Sequence, residues 1–316
     1  MRLNHCSFPQ FVLAAILACL SSVALAAEAP AAKPINLDRY DLMKKTLLLP
    51  NGIRLAYIDM GPHDGQPVVL IHGFTDNARD WVHLIPQLDS RLRLIVVDIR
   101  GHGHSSKPEC CYSRWDFAYD IRLLLDKLNI SRADVIGHSL GTFITQTLAE
   151  NWPTRVRKIV LISSSGGVRG SCTPPPGTPA APTMDYRSEI LKLKEPIDPE
   201  SPFMVEWWSS PTPVDPDFLR RQRRDAAGIP LRVWLAVLEQ GVDKNLLQSG
   251  LSRLTTPALL IWGDQDPIFG AEDRCSLREA LPKARVEIFK GLGHNPFWEQ
   301  PAAVAAVINP FLLAAP

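Results

Sequence analysis

Gly137-His138-Ser139-Leu140-Gly141 stands between a short apolar run and the start of a helical pattern, a setting that can make a serine hydroxyl reactive. A strand that turns abruptly into a helix strains the residue at the turn and holds it clear of the sheet, and only small neighbours fit beside it. The helix that follows directs its N-terminal dipole at the same spot and favours developing negative charge there. A serine hydroxyl also needs a base to take its proton before it can attack a carbonyl. Far along the chain, Gly291-Leu292-Gly293-His294-Asn295-Pro296 puts an imidazole in a glycine-rich loop, and Gly263-Asp264-Gln265-Asp266-Pro267 puts two carboxylates in another. These are the parts a serine relay needs, which makes Ser139 a candidate nucleophile and His294 a candidate general base, with Asp264 or Asp266 to orient the imidazole. The preceding strand offers no acid, since Ser163-Ser164-Ser165-Gly166-Gly167 follows it.

These groups need elements to position them. Short aliphatic or β-branched runs predict strands over 46–49, 53–58, 68–71, 94–97, 134–136, 159–162, 258–261 and 286–289. Asn51-Gly52 predicts a two-residue hairpin turn between the first two, which are therefore antiparallel. The later runs are near-continuously apolar, as strands covered on both faces of a parallel sheet are. Helical periodicity is clear over 116–128, where Phe117, Ile121, Leu124, Leu125 and Leu128 form one stripe, and over 142–150. Between Gly166 and about Gly250 the alternation gives way to Pro-rich loops and helical pieces bearing Phe203, Trp207, Trp208, Phe218 and Trp234. An insertion there lies over the carboxyl ends of the sheet, where open α/β sheets bind ligands.

His72-Gly73-Phe74, Asp98-x-Arg100-Gly101-x-Gly103-x-Ser105, the serine turn, Gly263-x-x-Asp266 and Gly293-His294 follow one another in the order seen in α/β-hydrolases. The chain resembles that family over nearly its whole length beyond the first residues. The resemblance implies a mostly parallel eight-stranded sheet flanked by helices, with an inserted and mainly helical cap. It divides the chain into a core over 41–166, a cap over 167–250 and a second part of the core over 251–316. It also implies that the acid stands third after the glycine, which selects Asp266, stiffened by Pro267, and leaves Asp264 to cap the loop. Two backbone N–H groups, of Phe74 and Leu140, would bind the oxyanion. Phe74, His138, Trp207 and Trp208 are candidate substrate contacts, whereas His72, Asp98 and Arg100 read as loop-shaping residues. Nothing in the resemblance calls for a cofactor.

Lys and Arg total 34 against 33 Asp and Glu, with no long run of either sign, so no nucleic-acid footprint is present and a small substrate is expected. Arg2 and His5 precede an apolar run from Phe11 to Leu20 and an Ala24-Leu25-Ala26 cleavage site, the pattern of a signal peptide over 1–26. Ile16-Leu17-Ala18-Cys19 offers the alternative of a lipoprotein anchored at Cys19. Cleavage after Ala26 removes Arg2 and no acid, leaving 33 basic and 33 acidic residues and no apolar span, and exposes an Ala- and Pro-rich linker over 27–40. An exported chain would retain Cys110, Cys111, Cys172 and Cys275, whose pairing is not fixed by sequence, where disulfides persist. His102 and His104 lie in a glycine-rich turn without regular ligand spacing, so no metal is expected there.

The resemblance therefore points to an exported serine hydrolase that cleaves a carboxylic ester through an acyl-serine. The same triad serves C–C bond hydrolases, aminopeptidases, lactonases and perhydrolases, and a binding protein could retain the fold. A serine at the turn argues against the dehalogenase and epoxide-hydrolase branches, which use an aspartate nucleophile. Arg220, Arg221, Arg223 and Arg224 make the cap polar where an interfacial lipase would be apolar.

Overall fold

The near-continuous aliphatic runs become the middle of one sheet in the computed structural model, which describes residues 34–166, 185–242 and 251–315. The strands are β1 (Lys45–Leu48), β2 (Arg54–Met60), β3 (Gln66–Ile71), β4 (Leu92–Asp98), β5 (Ala133–His138), β6 (Val156–Ile162), β7 (Ala258–Gly263) and β8 (Arg285–Phe289). Their order is β1-β2-β4-β3-β5-β6-β7-β8. β2 runs antiparallel to β1 and β4, and every other pairing is parallel. All residues of β4, β5 and β7 are buried, whereas edge strands β1 and β8 are partly exposed. That gradient is why the central strands lack alternation in sequence.

The first hairpin departs from expectation by one residue. Leu49 N–H bonds to the Ile53 carbonyl and Gly52 N–H to the Leu49 carbonyl, so Pro50-Asn51-Gly52 forms a three-residue loop. Pro50 suits the first corner of a type I turn, and Gly52 takes the left-handed position that follows, at φ 83°.

Helices cover the sheet and its carboxyl edge: α1 (Leu37–Leu42), α2 (Arg114–Lys127), α3 (Leu140–Asn151), α4 (Tyr186–Leu191), α5 (Pro202–Trp207), α6 (Pro216–Ala227), α7 (Leu231–Gln240), α8 (Ala271–Ala280), α9 (Pro296–Glu299) and α10 (Pro301–Leu313). α2 starts earlier than its apolar stripe because Ser113 and Asp116 form a reciprocal capping box. α3 begins directly after Ser139, two residues ahead of the periodic pattern. α1 occupies part of the expected linker, where Asn36 caps it and the buried Tyr40 donates its hydroxyl to the Ala78 carbonyl at 2.9 Å. α4 to α7 all lie between β6 and β7, the place of the expected insertion.

The leader expected over 1–26, with Cys19, and Cys172 lie outside the described residues. Cys110 and Cys111 are bonded to each other, and Cys275, on α8, is also disulfide-bonded. Among the described residues no helix is long and apolar enough to cross a membrane.

Candidate active site

Ser139 takes φ 49° and ψ −117° between the last residue of β5 and the first of α3. A non-glycine residue reaches this region only when its surroundings force it. Here the crowding is explicit. A Cβ on Gly141 would strike the carbonyls of Ile71 and His72, and one on Gly137 would strike the Gly141 carbonyl. The two glycines let β5, α3 and the end of β3 approach closely enough to hold the serine at the bend. Thr75 and Ser163, also at positive φ, lie just beyond the ends of β3 and β6.

His294 follows β8, and its Nδ1 lies 3.0 Å from both carboxyl oxygens of Asp266, which follows β7 and is fully buried. Burial pushes the Asp266 carboxyl up, but the His294 ring and the Ile268 and Phe269 amides outweigh it and hold the group below the usual carboxylate range. An Nδ1–H donated to this carboxylate leaves Nε2 as the proton acceptor. Asp264 takes the other role foreseen for it, accepting from Gly291 N–H at 2.7 Å and from the Gln265 amide. The His294 carbonyl accepts from Ser163 Oγ at 2.7 Å and His138 Nε2 at 3.2 Å, which fixes the loop from below.

Phe74, in the loop after β3, and Leu140, at the start of α3, come near the serine in the chain's fold, and neither amide donates to a partner among the described residues. The first N–H groups of a helix have no intrahelical acceptor, so the Leu140 amide is free for an oxyanion. His72 shapes this loop, as its position suggested. Its Nδ1 donates to the Gly73 carbonyl at 2.7 Å, and its Nε2 accepts from Ile99 N–H at 3.1 Å. Burial keeps the ring neutral, its pKa pulled down to about 3. Asp98 accepts from Ala78 N–H, His104 N–H and Lys44 Nζ, and Arg100 grips Asp120 with two bonds of 2.6 Å.

Phe74, Trp207, Trp208, Ser139 and His294 line one narrow cavity of about 20 Å³. Trp207 Nε1 donates to Thr75 Oγ1 at 3.0 Å and Trp208 Nε1 to Asp76 Oδ1 at 3.1 Å, so the end of α5 is bonded to the loop that carries the Phe74 amide. His138 borders the same cavity but is only 1% exposed, packed between His294 and Phe297. It also bonds the His294 carbonyl, so it supports His294 as well as bordering the cavity. A larger cavity of about 590 Å³, lined by Arg114, Trp115, Gln146 and Glu150 among others, contains none of Ser139, Asp266 and His294.

Asp76 and Asp80 escaped sequence reasoning. Both are buried beside His138, and Trp298 Nε1 donates to Asp80 Oδ1 at 2.8 Å. Asp76, Asp80 and His138 are the group among the described residues whose ligand-type atoms fall within 4.8 Å of one another. Indole N–H groups already occupy one oxygen of each carboxyl, so the set is poorer in free oxygens than the six or more that calcium or magnesium takes. A cluster drawn from one loop and one strand end leaves no ligand spacing to read. His102 bonds to the Arg100 carbonyl and belongs to no such group.

The sequence profile described as alpha/beta hydrolase fold matches residues 66–301. Lipase 1 of Psychrobacter immobilis is 28% identical over 268 residues, covering 83% of this chain and 81% of its own. A non-heme chloroperoxidase of Streptomyces lividans is 28% identical over 283 residues, covering 85% and 98%. The structure of an esterase from Exiguobacterium antarcticum aligns over 86% of this chain and all of its own, at TM-score 0.72 and 21% identity. The match spans well over half of the residues, and the strand order and serine bend agree with it: the chain belongs to the α/β-hydrolase fold family.

Proposed function

We propose that the protein is a serine hydrolase that cleaves carboxylic esters through an acyl-Ser139 intermediate. The observation that carries this reading is a buried carboxylate held 3.0 Å from His294 Nδ1, with His294 and Ser139 lining the same cavity. His294 Nε2 takes the hydroxyl proton as Ser139 Oγ attacks the ester carbonyl, and Asp266 stabilises the imidazolium. The Phe74 and Leu140 amides bind the oxyanion. Collapse of the intermediate breaks the bond to the alkoxy oxygen, which leaves with the proton from His294. Water then gives a proton to His294 and attacks the acyl-serine, and its collapse returns that proton to Ser139 and frees the acid.

Ester hydrolysis is supported by relatives named as a lipase and an esterase. The named chloroperoxidase keeps a perhydrolase reaction in view, in which peroxide replaces water in the second step. A binding role on the same fold is tested by the labelling below, and C–C, amide and lactone substrates by comparing their turnover with that of simple esters. Export, with cleavage after Ala26, is proposed from the leader pattern and is in keeping with the bonded cysteines.

Reaction with a fluorophosphonate, read by intact mass and peptide mapping, tests the reading. A single adduct on Ser139 that Ser139→Ala abolishes is expected, followed by turnover of simple esters. No adduct on folded protein, or undiminished function in Ser139→Ala, would refute it. Intact mass of protein from an exporting host also reports the mature N-terminus.

A further inference from the structure

Behind the nucleophile, three side-chain hydrogen-bond acceptors meet with no side-chain donor between them among the described residues, while the Gly73 N–H bears on Asp80 and offsets part of the burial that raises its carboxyl. His138 Nε2 lies 3.2 Å from the His294 carbonyl oxygen, which can only accept, so Nε2 carries the ring proton. Burial, and then the charge of His294, keep the ring from taking a second proton, its pKa pulled down to about 3. His138 Nδ1 is therefore a lone pair. Asp80 Oδ2 stands 3.5 Å from it, and both atoms are buried without a hydrogen-bond partner. Asp76 Oδ2 converges from the other side: a Cβ on Gly73 would sit 2.9 Å from His138 Nδ1 and 3.2 Å from Asp76 Oδ2.

Two carboxylates and a lone pair in such a volume repel one another unless a positive charge joins them. The side chains that reach the carboxyls are neutral. Trp208 Nε1 and Gln222 Nε2, from the cap, donate to Asp76 Oδ1, and Trp298 Nε1 donates to Asp80 Oδ1. Arg79 turns away to Asp41, Gln222 and Asp225. Asp225 is held by Arg79 and Asn77, and Glu299 by Gly293 N–H and Thr212. Tyr40, whose hydroxyl is pushed up by burial and in part by Asp80, stays neutral and donates to the Ala78 carbonyl, and His294 faces Asp266.

We infer that Asp76 and Asp80 hold a shared proton beside His138 Nδ1 at neutral pH, and that this proton fixes the His138 tautomer that anchors the His294 carbonyl. The pair are positioning residues, acting through His138 on the proposed general base, so the inference rests on the reaction proposed above. Burial, joined for Asp76 by the charge of Asp80, pushes both carboxyls up to about 8. Mildly alkaline solution therefore removes the proton. The three acceptors then repel, the His138 ring loses its reason to stay, and Ser163 Oγ alone holds the His294 carbonyl. General-base catalysis by itself is not lost as pH rises. An alkaline loss of serine reactivity is the distinguishing signature.

The test is the rate of fluorophosphonate labelling of Ser139 from about pH 6 to about pH 10, which needs no knowledge of the substrate. Circular dichroism at each pH confirms that the protein stays folded. In the wild type, labelling is expected to fall by about tenfold above the pair's titration, the scale of a base shifted by a fraction of an ångström. Asp80→Asn supplies a non-titrating N–H to His138 Nδ1, so labelling at neutral pH stays within about threefold and the alkaline fall disappears. Asp80→Leu, similar in size but with nothing to donate, labels slowly at every pH. Infrared spectra of the wild type are expected to show a protonated-carboxyl stretch at neutral pH that is lost on alkalinisation and in the Asp76→Asn, Asp80→Asn double variant. A wild-type rate that stays flat through alkaline pH, a fall that survives in Asp80→Asn, or no protonated-carboxyl band would each overturn the inference while leaving Ser139 as nucleophile. So would a stoichiometric divalent metal in the purified protein whose removal slows labelling, since a metal cation would then join the carboxyls. Absence of any labelling would instead strike at the proposed reaction, and the infrared band would still decide whether the pair holds its proton.

Discussion

At the level of single residues, changes at Asp266 and Ser139 should both cost activity but differ in their effect on stability. Asp266→Asn replaces an acceptor by an amide that can donate to His294 Nδ1, which reverses the tautomer; turnover should fall by about ten-thousandfold with the fold intact. Ester turnover and circular dichroism on the same sample check this, and a loss below tenfold would exclude Asp266 as the orienting acid. Asp264→Asn, at a side chain that bonds Gly291 N–H and Gln265 among the described residues, should change turnover little. Ser139→Gly removes both the nucleophile and the strain of a side chain at φ 49°, so it should unfold at higher denaturant, by about 1 kcal/mol, while losing activity.

At the level of elements, the long connection from β4 to α2 depends on Arg100, whose guanidinium bonds Asp120 twice and the carbonyls of Cys111 and Asp116. Arg100→Ala leaves the Asp120 carboxylate buried without its cation, a loss of about 3–5 kcal/mol that equilibrium unfolding would register. α5 controls a different property. A cavity of about 20 Å³ is far below the several hundred that a small ligand fills, and Trp207 and Trp208 are among its walls, so movement of α5 is the expected route of substrate entry. Trp207→Ala removes one of the two indole bonds that close it and should raise kcat/KM for bulky acyl esters relative to acetyl esters. A uniform change across the series would count against gating by α5. These elements also show what the chain reveals before it folds. The serine turn, the order of acid and histidine, and the buried strands were legible because each is a local pattern. Asp76, Asp80 and the supporting role of His138 were not, because their chemistry arises only when β5, the loop after β3 and the loop after β8 come together. α1 was hidden in a polar stretch whose one buried anchor is Tyr40, and the hairpin was misread because Pro50 recruits a third residue into the turn.

At the level of the whole molecule, the buried acids couple folding to pH. Asp76 holds its proton up to about 8 in the folded chain, whereas an unfolded carboxyl releases it in the usual acid range. The stabilisation from keeping it neutral is fully present in acid below that range, erodes as the unfolded chain ionises, and is gone once pH passes about 8. Thermal midpoints of the wild type should therefore decline from weakly acidic to alkaline buffer, and Asp76→Asn should flatten that decline. An equal decline in both proteins would mean that the Asp76 proton has no part in it. The same sheet that buries these groups presents Ser139, Asp266 and His294 from three strands that are separate in sequence, while α4 to α7 enter as one uninterrupted piece between β6 and β7. Exchange of that piece for another is thus a single genetic event that leaves the strands carrying Ser139, Asp266 and His294 unchanged in sequence. Its acceptance depends on a narrow compatibility: a transplanted segment must deliver two indoles to Thr75 and Asp76, or the receiving scaffold inherits a loop with nothing to hold it shut.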